Sequence, residues 1–182
     1  MTSSDTLSVT LKTDWFGAPV SAAPRCELRL ENGAIHLRAG AAKAPRVVAA
    51  DTGGYVAGLW EGDCAELFLV NPQTGYYIEI NLSPRGGWWS CEFTAPRVRA
   101  PGAPRAPAGV ITRANLARAA WEAAITIPVA SLPKELDFDP AVTRGNITFC
   151  LGDTPQLYLT HADLGGGTPD FHRPDRWIRL FE

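Results

Sequence analysis

Through the middle of the chain, apolar and polar side chains alternate with period two, the spacing of an extended strand whose residues face alternately to two sides. Residues 76–82 place Tyr76, Ile78, Ile80 and Leu82 on one face and Tyr77, Glu79 and Asn81 on the other. Residues 64–70 sort into Ala65, Leu67 and Leu69 against Cys64, Glu66, Phe68 and Val70, and residues 88–94 into Trp89, Cys91 and Phe93 against Trp88, Ser90, Glu92 and Thr94. Similar runs predict strands at 7–11, 26–30, 35–38, 47–50, 64–70, 76–82, 88–93, 121–127, 146–151, 157–160 and 177–181. Their spacing, with turn pairs such as Asn32-Gly33 between them, is that of an all-β sandwich or barrel. The Ala-rich run 114–125 favours helix by composition, but from Trp121 the alternation of Trp121, Ala123, Ile125 and Ile127 predicts strand, followed by a helical turn near Pro128–Pro133. Residues 95–109, with Pro96, Pro101, Pro104 and Pro107, predict a long surface loop.

Sequential strands often pair. A meander would then join the second faces into one surface holding Glu66, Tyr77, Glu79, Asn81, Trp88 and Ser90. Aromatic rings offer stacking faces for the C–H side of a sugar ring, and carboxylates and amides offer planar acceptors for its hydroxyls. A plain polar sheet face toward water would explain Glu79 and Asn81 equally well. Glu66, flanked by Cys64 and Phe68, needs either a ligand or an Arg partner to offset its desolvation.

At 182 residues the chain is expected to form one domain, 1–182, with a full hydrophobic core. A formal net charge of -2 and scattered arginines leave no electrostatic footprint for nucleic acid. No apolar run approaches the roughly 20 residues of a membrane span. The opening MTSSDTLSVTLKTDW has no basic-then-apolar leader. The expectation is a soluble cytoplasmic protein, or an extracellular one if a leader has been removed. Cys26, Cys64, Cys91 and Cys150 lack any C-x-x-C pair; they are expected as reduced core thiols, or as a disulfide in a secreted form.

Other chemistry is thinly signalled. His161, Asp163, Asp170 and His172 contain metal-ligating types without a tight motif. Asp51, Asp63 or Asp153 would suit calcium only without an EF-hand series, so no cofactor is assigned. The one methionine, Met1, removes Met/His haem ligation. Glu66 with Glu79 or Glu92 would serve hydrolysis only if they flank a cleft. Gly-x-Ser-x-Gly, P-loop and dinucleotide motifs are absent, and no enzymatic activity is expected. Trp15, Trp89, Trp121 and Trp177 read as structural, while Trp88 suits either a ligand or a partner chain.

Four segments in order, WEGDCAELFL (60–69), TGYYIEINLSPRG (74–86), WEAAITIP (121–128) and PDFHRPDRWIRL (169–180), resemble the family 9 carbohydrate-binding modules, within the DOMON-like β-sandwiches. The resemblance implies a sandwich of two antiparallel sheets that takes a glucan- or xylan-type chain end between two Trp rings, with structural calcium in some members. Trp60 matches the first stacking Trp, Glu66 the carboxylate on the following strand and Asn81 a hydrogen-bonding Asn. Two positions depart from that pattern: the second Trp falls near Phe171, so Phe171 with His172 would supply that wall, and Glu79 stands where binders tend to carry Arg. The expected function is non-catalytic sugar binding through Trp60, Glu66, Tyr77, Glu79, Asn81, Phe171 and His172. The alternative is a cytoplasmic interaction or scaffold protein that keeps the sandwich without the sugar site, self-associating through the Trp88 face; the oligomeric state is left open.

Overall fold

A computed structural model describes residues 6–181. Two antiparallel sheets make up the fold. The five-stranded sheet runs β1 (Thr6–Thr10), β2 (Arg25–Glu31), β3 (Ala34–Ala41), β9 (Ala120–Pro128) and β8 (Ile111–Ala117). The other, seven-stranded, runs β11 (Leu157–Thr160), β10 (Arg144–Leu151), β4 (Cys64–Val70), β5 (Tyr77–Leu82), β6 (Trp88–Ala95) and β7 (Val98–Arg99), with β12 (Ile178–Arg179) added at the start of β10. Asn32 and Gly33, both at positive φ, form the expected hairpin turn between β2 and β3. No helix among the described residues is long and apolar enough to cross a membrane.

In strands β4, β5 and β9 the sheets pack face to face through the residues that the alternation assigned inward. Leu28, Leu37, Ile125 and Ile127 from one sheet meet Leu67, Ile78, Ile80 and Phe149 from the other in a single buried cluster. Trp121 belongs to this core. A second apolar cluster lies on the opposite face of the seven-stranded sheet, where Phe68, Val70, Tyr77, Trp89 and Phe93 are covered by Leu59, Ala162, Leu164, Phe171 and Trp177. Strands β4, β5 and β10 are therefore buried on both sides, which accounts for their near-continuous apolar sequences. All four cysteines are buried and free.

Several expected elements are corrected. Residues 47–50 form no strand; they run from coil into a turn at 49–50, and the carbonyl of the preceding Arg46 accepts from the Asp63 N–H. Conversely, 111–117 is strand β8, the edge partner of β9, and the Ala-rich run is a β-hairpin closed at Arg118-Ala119. Most of β8 is exposed, so it carries no buried stripe for alternation to reveal. The proline-rich stretch 95–109 is not all loop: β7 pairs with the end of β6, and the Ala100 N–H bonds the Glu92 carbonyl. Of 177–181 only Ile178 and Arg179 pair as strand. The helical turn after Pro128 appears as two 3-10 turns, Val129–Ser131 and Lys134–Leu136.

Candidate functional site

The outer face of the seven-stranded sheet holds two rows of paired residues. One row runs Thr148, Glu66, Asn81, Trp89 across β10, β4, β5 and β6; the next runs Asn146, Phe68, Glu79, Cys91. This register corrects the expected surface. Trp89, Cys91 and Phe93 share the face of Glu66 and Glu79, whereas Trp88 and Ser90 lie on the opposite one. Because β6 carries a Trp at both 88 and 89, the apolar criterion does not distinguish its faces, and a one-residue shift exchanges them. Trp88 is half-buried, packs edge-on against Tyr55 at 4.8 Å and adjoins the intersheet core. Ser90 donates to the Arg105 carbonyl at 2.7 Å, and Glu92 is held by the Tyr76 hydroxyl and the Arg105 guanidinium, away from the outer face.

Above the two rows opens a cleft of about 320 Å³, with Glu66, Glu79 and Cys150 in its lining. Trp60 and Trp89 meet edge to face on one side, ring centroids 5.2 Å apart, while Tyr158, Phe171 and His172 close the other. Trp60 sits in a 3-10 turn, Leu59–Glu61, at the entrance to β4. That turn is pinned at both ends: the Gln156 side chain donates to the Trp60 carbonyl at 2.6 Å, and buried Asp63 accepts from Lys43 Nζ and from the backbone N–H groups of Arg46 and Gly152. A Cβ on Gly62 would lie 2.6 Å from the Arg46 carbonyl, so only glycine lets the two segments approach this closely.

The wall formed by 161–177 is held by its own aromatic residues. Trp177 is almost wholly buried between Phe68 and Tyr77, at ring distances of 5.1 and 5.2 Å, and donates to the Phe171 carbonyl. Trp15 donates to the Gly167 carbonyl at 2.7 Å, and Arg173 donates to the Leu164 and Gly166 carbonyls while lying over the Trp15 ring. The glycine run 165–167 is thus a tied strap rather than a phosphate cradle.

The polar groups beneath the cleft are mutually arranged. The Arg97 N–H donates to the Tyr77 hydroxyl at 3.0 Å, and Tyr77 lies 2.7 Å from His172 Nδ1. The other ring nitrogen, Nε2, faces Glu79 at 3.6 Å. Burial lowers His172 to about 4, helped by the charge of Arg97, so the ring is neutral near pH 7. Burial is also the main reason that Glu66 is pushed up to about 8, with the Glu79 charge adding to it and the Thr148 hydroxyl opposing it. Glu79 is raised to about 7, again by burial first, against the Asn81 amide that donates to it at 2.9 Å and the charges of Arg97 and Arg99. No Arg pairs with Glu66 among the described ion pairs. The structural explanation considered for that residue is thus not the one the fold uses.

Of the seven residues expected to bind, Trp60, Glu66, Glu79, Phe171 and His172 line this cleft. Tyr77 and Asn81 do not; both are fully buried, Tyr77 orienting His172 and Asn81 orienting Glu79. Asn81 Oδ1 has no hydrogen-bond partner among the described residues. Sequence reasoning missed Trp89, Tyr158, Arg97 and Arg99. The two arginines carried a signal, an i, i+2 spacing that puts them on one face of a strand, but it was hidden in the proline-rich run. His172 lines the cleft and Asp170 pairs with the cleft-lining Arg97, while His161 and Asp163 line a separate cavity of about 200 Å³. Lys43 bridges Asp63 and Asp153, and Asp51 accepts from Ser83. Among the described residues, no three His, Cys, Asp or Glu side chains converge as a metal site.

A wider groove of about 530 Å³ crosses the outer face of the five-stranded sheet. Arg38 is engaged with Glu122 at 2.7 Å and with Glu27 at 3.9 Å, Arg25 also lines it, and among the described residues Trp121 is its one aromatic lining residue. The cleft beside Trp60 is the better chemical candidate.

No protein-family model and no curated protein matches the chain. Solved structures do. A candidate carbohydrate-binding protein from Bacteroides uniformis aligns over 94% of this chain and 84% of its own, with a TM-score of 0.70 and 18% identity. A family 9 carbohydrate-binding module from Caldicellulosiruptor kristjanssonii, in complex with cellotriose, aligns over 88% of this chain and 75% of its own, with a TM-score of 0.57 and 10% identity. The structure of a family 9 module from the same organism with glucose gives 0.57, 12% identity and coverages of 88% and 76%. At these identities the likeness is one of fold: the chain is an antiparallel β-sandwich of the kind seen in family 9 carbohydrate-binding modules.

Proposed function

We propose that the protein binds a saccharide, without transforming it, in the cleft between Trp60 and the 161–177 wall. The observation that carries this reading is the composition of that one space. Trp60, Trp89 and Phe171 line it together with the carboxyls of Glu66 and Glu79 and the imidazole of His172. Apolar ring faces suit the C–H side of a pyranose, and the carboxyls suit its hydroxyls as acceptors, or as donors when protonated. The sugar ligands of the structurally similar modules support the same reading.

Titration with gluco- and xylo-oligosaccharides, followed by Trp fluorescence, tests the proposal. Saturable quenching is expected in the native protein, and Trp60→Ala, half-buried at the cleft, is expected to lose it with the fold retained. Weaker binding of oligosaccharides whose reducing end has been converted to the alditol would identify a chain-end site. A folded Trp60→Ala protein that binds as tightly as the native one would refute the assignment.

A further inference from the structure

The segment 96–105 puts three guanidinium groups beside the seven-stranded sheet, and they differ in what they already hold. Arg105 is engaged with Glu92, and Arg97 pairs with Asp170 at 2.7 Å. Arg99 has no carboxylate within 4.0 Å among the described residues. It is exposed, lies over the Trp89 ring at 5.8 Å and, with Arg97, lines the cleft. Both charges act on Glu79, so they face the same space as the cleft floor.

The local backbone fixes this arrangement. Arg97 adopts a positive φ of 61°, a conformation that a non-glycine residue holds only at some cost, and its N–H is anchored on the Tyr77 hydroxyl. Strand β7 then turns Val98 outward, 54% exposed, and brings Arg99 back over the cleft. A guanidinium over an aromatic face keeps its in-plane N–H fork available, and that fork matches a carboxylate. The floor opposes an anion less than two full negative charges would, because both carboxyls are buried and hold their protons above the ordinary carboxylate range.

Building on the carbohydrate reading, we propose that the saccharide bound here is acidic: a uronic acid residue places its carboxylate on Arg99, with Arg97 beside it, while its hydroxyls reach Glu66 and Glu79. A neutral glucan would leave the Arg99 fork unpaired as the ligand desolvates it. A carboxylate at that point gains a charge-assisted, bidentate contact.

The test is calorimetric titration with oligogalacturonate and glucuronoxylo-oligosaccharides, each against the same oligosaccharide with its carboxyls reduced to alcohols. The uronate is expected to bind at least about tenfold more tightly than its reduced form, a margin typical of one charged hydrogen-bonding contact. That margin should shrink at high salt. Arg99→Gln, an exposed edge-strand substitution whose folding is checked by circular dichroism, is expected to erase the difference. Equal binding of acidic and reduced forms, or a preference that survives Arg99→Gln, overturns the inference and leaves sugar binding standing. Absence of binding by every acidic and neutral oligosaccharide overturns the carbohydrate reading itself, and this inference with it.

Discussion

At the scale of single residues, the outer face of the seven-stranded sheet is unusual for the titratable groups it buries. For Glu66 and Glu79 the folded-state pKa lies above the unfolded value. Their contribution is therefore fully present below about pH 4.5 and is lost as pH rises through about 7 to 8. His172 acts in the other limb: its folded pKa of about 4 lies below the ordinary 6.5, so the folded state loses stability as pH falls from about 6.5 through 4. Glu66→Gln keeps an acceptor for the Thr148 hydroxyl and removes the ionisation. It is expected to raise stability at pH 9 relative to pH 5, compared with the native protein, by on the order of a few kcal/mol. Denaturant melts at the two pH values measure this, and an unchanged difference between them would contradict the burial argument. His172→Gln is expected to flatten the acid limb in the same experiment.

At the scale of elements, the turn that carries Trp60 depends on its anchor at the entrance to β4. Asp63, 1% exposed, accepts from Lys43 and from two backbone N–H groups, so it ties the turn to the coil around Arg46 and to the end of β10 at Gly152. Asp63→Ala leaves Lys43 and both N–H donors without their partner. The expected cost is about 3 kcal/mol, read as a lower thermal midpoint. The same substitution is expected to weaken saccharide binding, although Asp63 does not line the cleft. Gly62→Ala tests the close approach independently, since its methyl would meet the Arg46 carbonyl at 2.6 Å; destabilisation of about 2 kcal/mol or more is expected. Part of this anchor was legible in the sequence, in the crowding of Trp60, Glu61, Gly62 and Asp63 before an apolar strand. Its partners, more than 80 residues away at Gly152 and Gln156, were not.

For the whole molecule, the seven-stranded sheet serves two cores. One face seals the sandwich, and the other is roofed by the 161–177 segment, with Trp177 as its plug. Trp177→Ala is expected to cost 3 to 5 kcal/mol, the range typical for removing a buried Trp. It should also lower saccharide affinity, because Phe171 and His172 lose the side chain that sets their wall. Thermal melts and titrations on one sample separate the two effects. A variant as stable as the native protein would show that the wall holds itself.

The sequence by itself determined the all-β class, most strand positions and the intersheet face of β4, β5 and β9, because a period-two apolar pattern fixes which side chains share a face. It also pointed to Trp60, Glu66, Glu79, Phe171 and His172, partly from residue chemistry and partly through resemblance. Tertiary structure alone decided the rest. Strands β4, β5 and β10 are buried on both sides, and β6 carries Trp on both faces, so alternation does not reveal which of Trp88 and Trp89 joins the site; the register between β5 and β6 does. Edge strands β7 and β8, with little or no buried face, leave no periodic signal, and Arg97 and Arg99 were hidden with them. The cleft is assembled from residues as far apart in the chain as Trp60 and His172, and long-range pairing, rather than local preference, brings them within reach of one ligand.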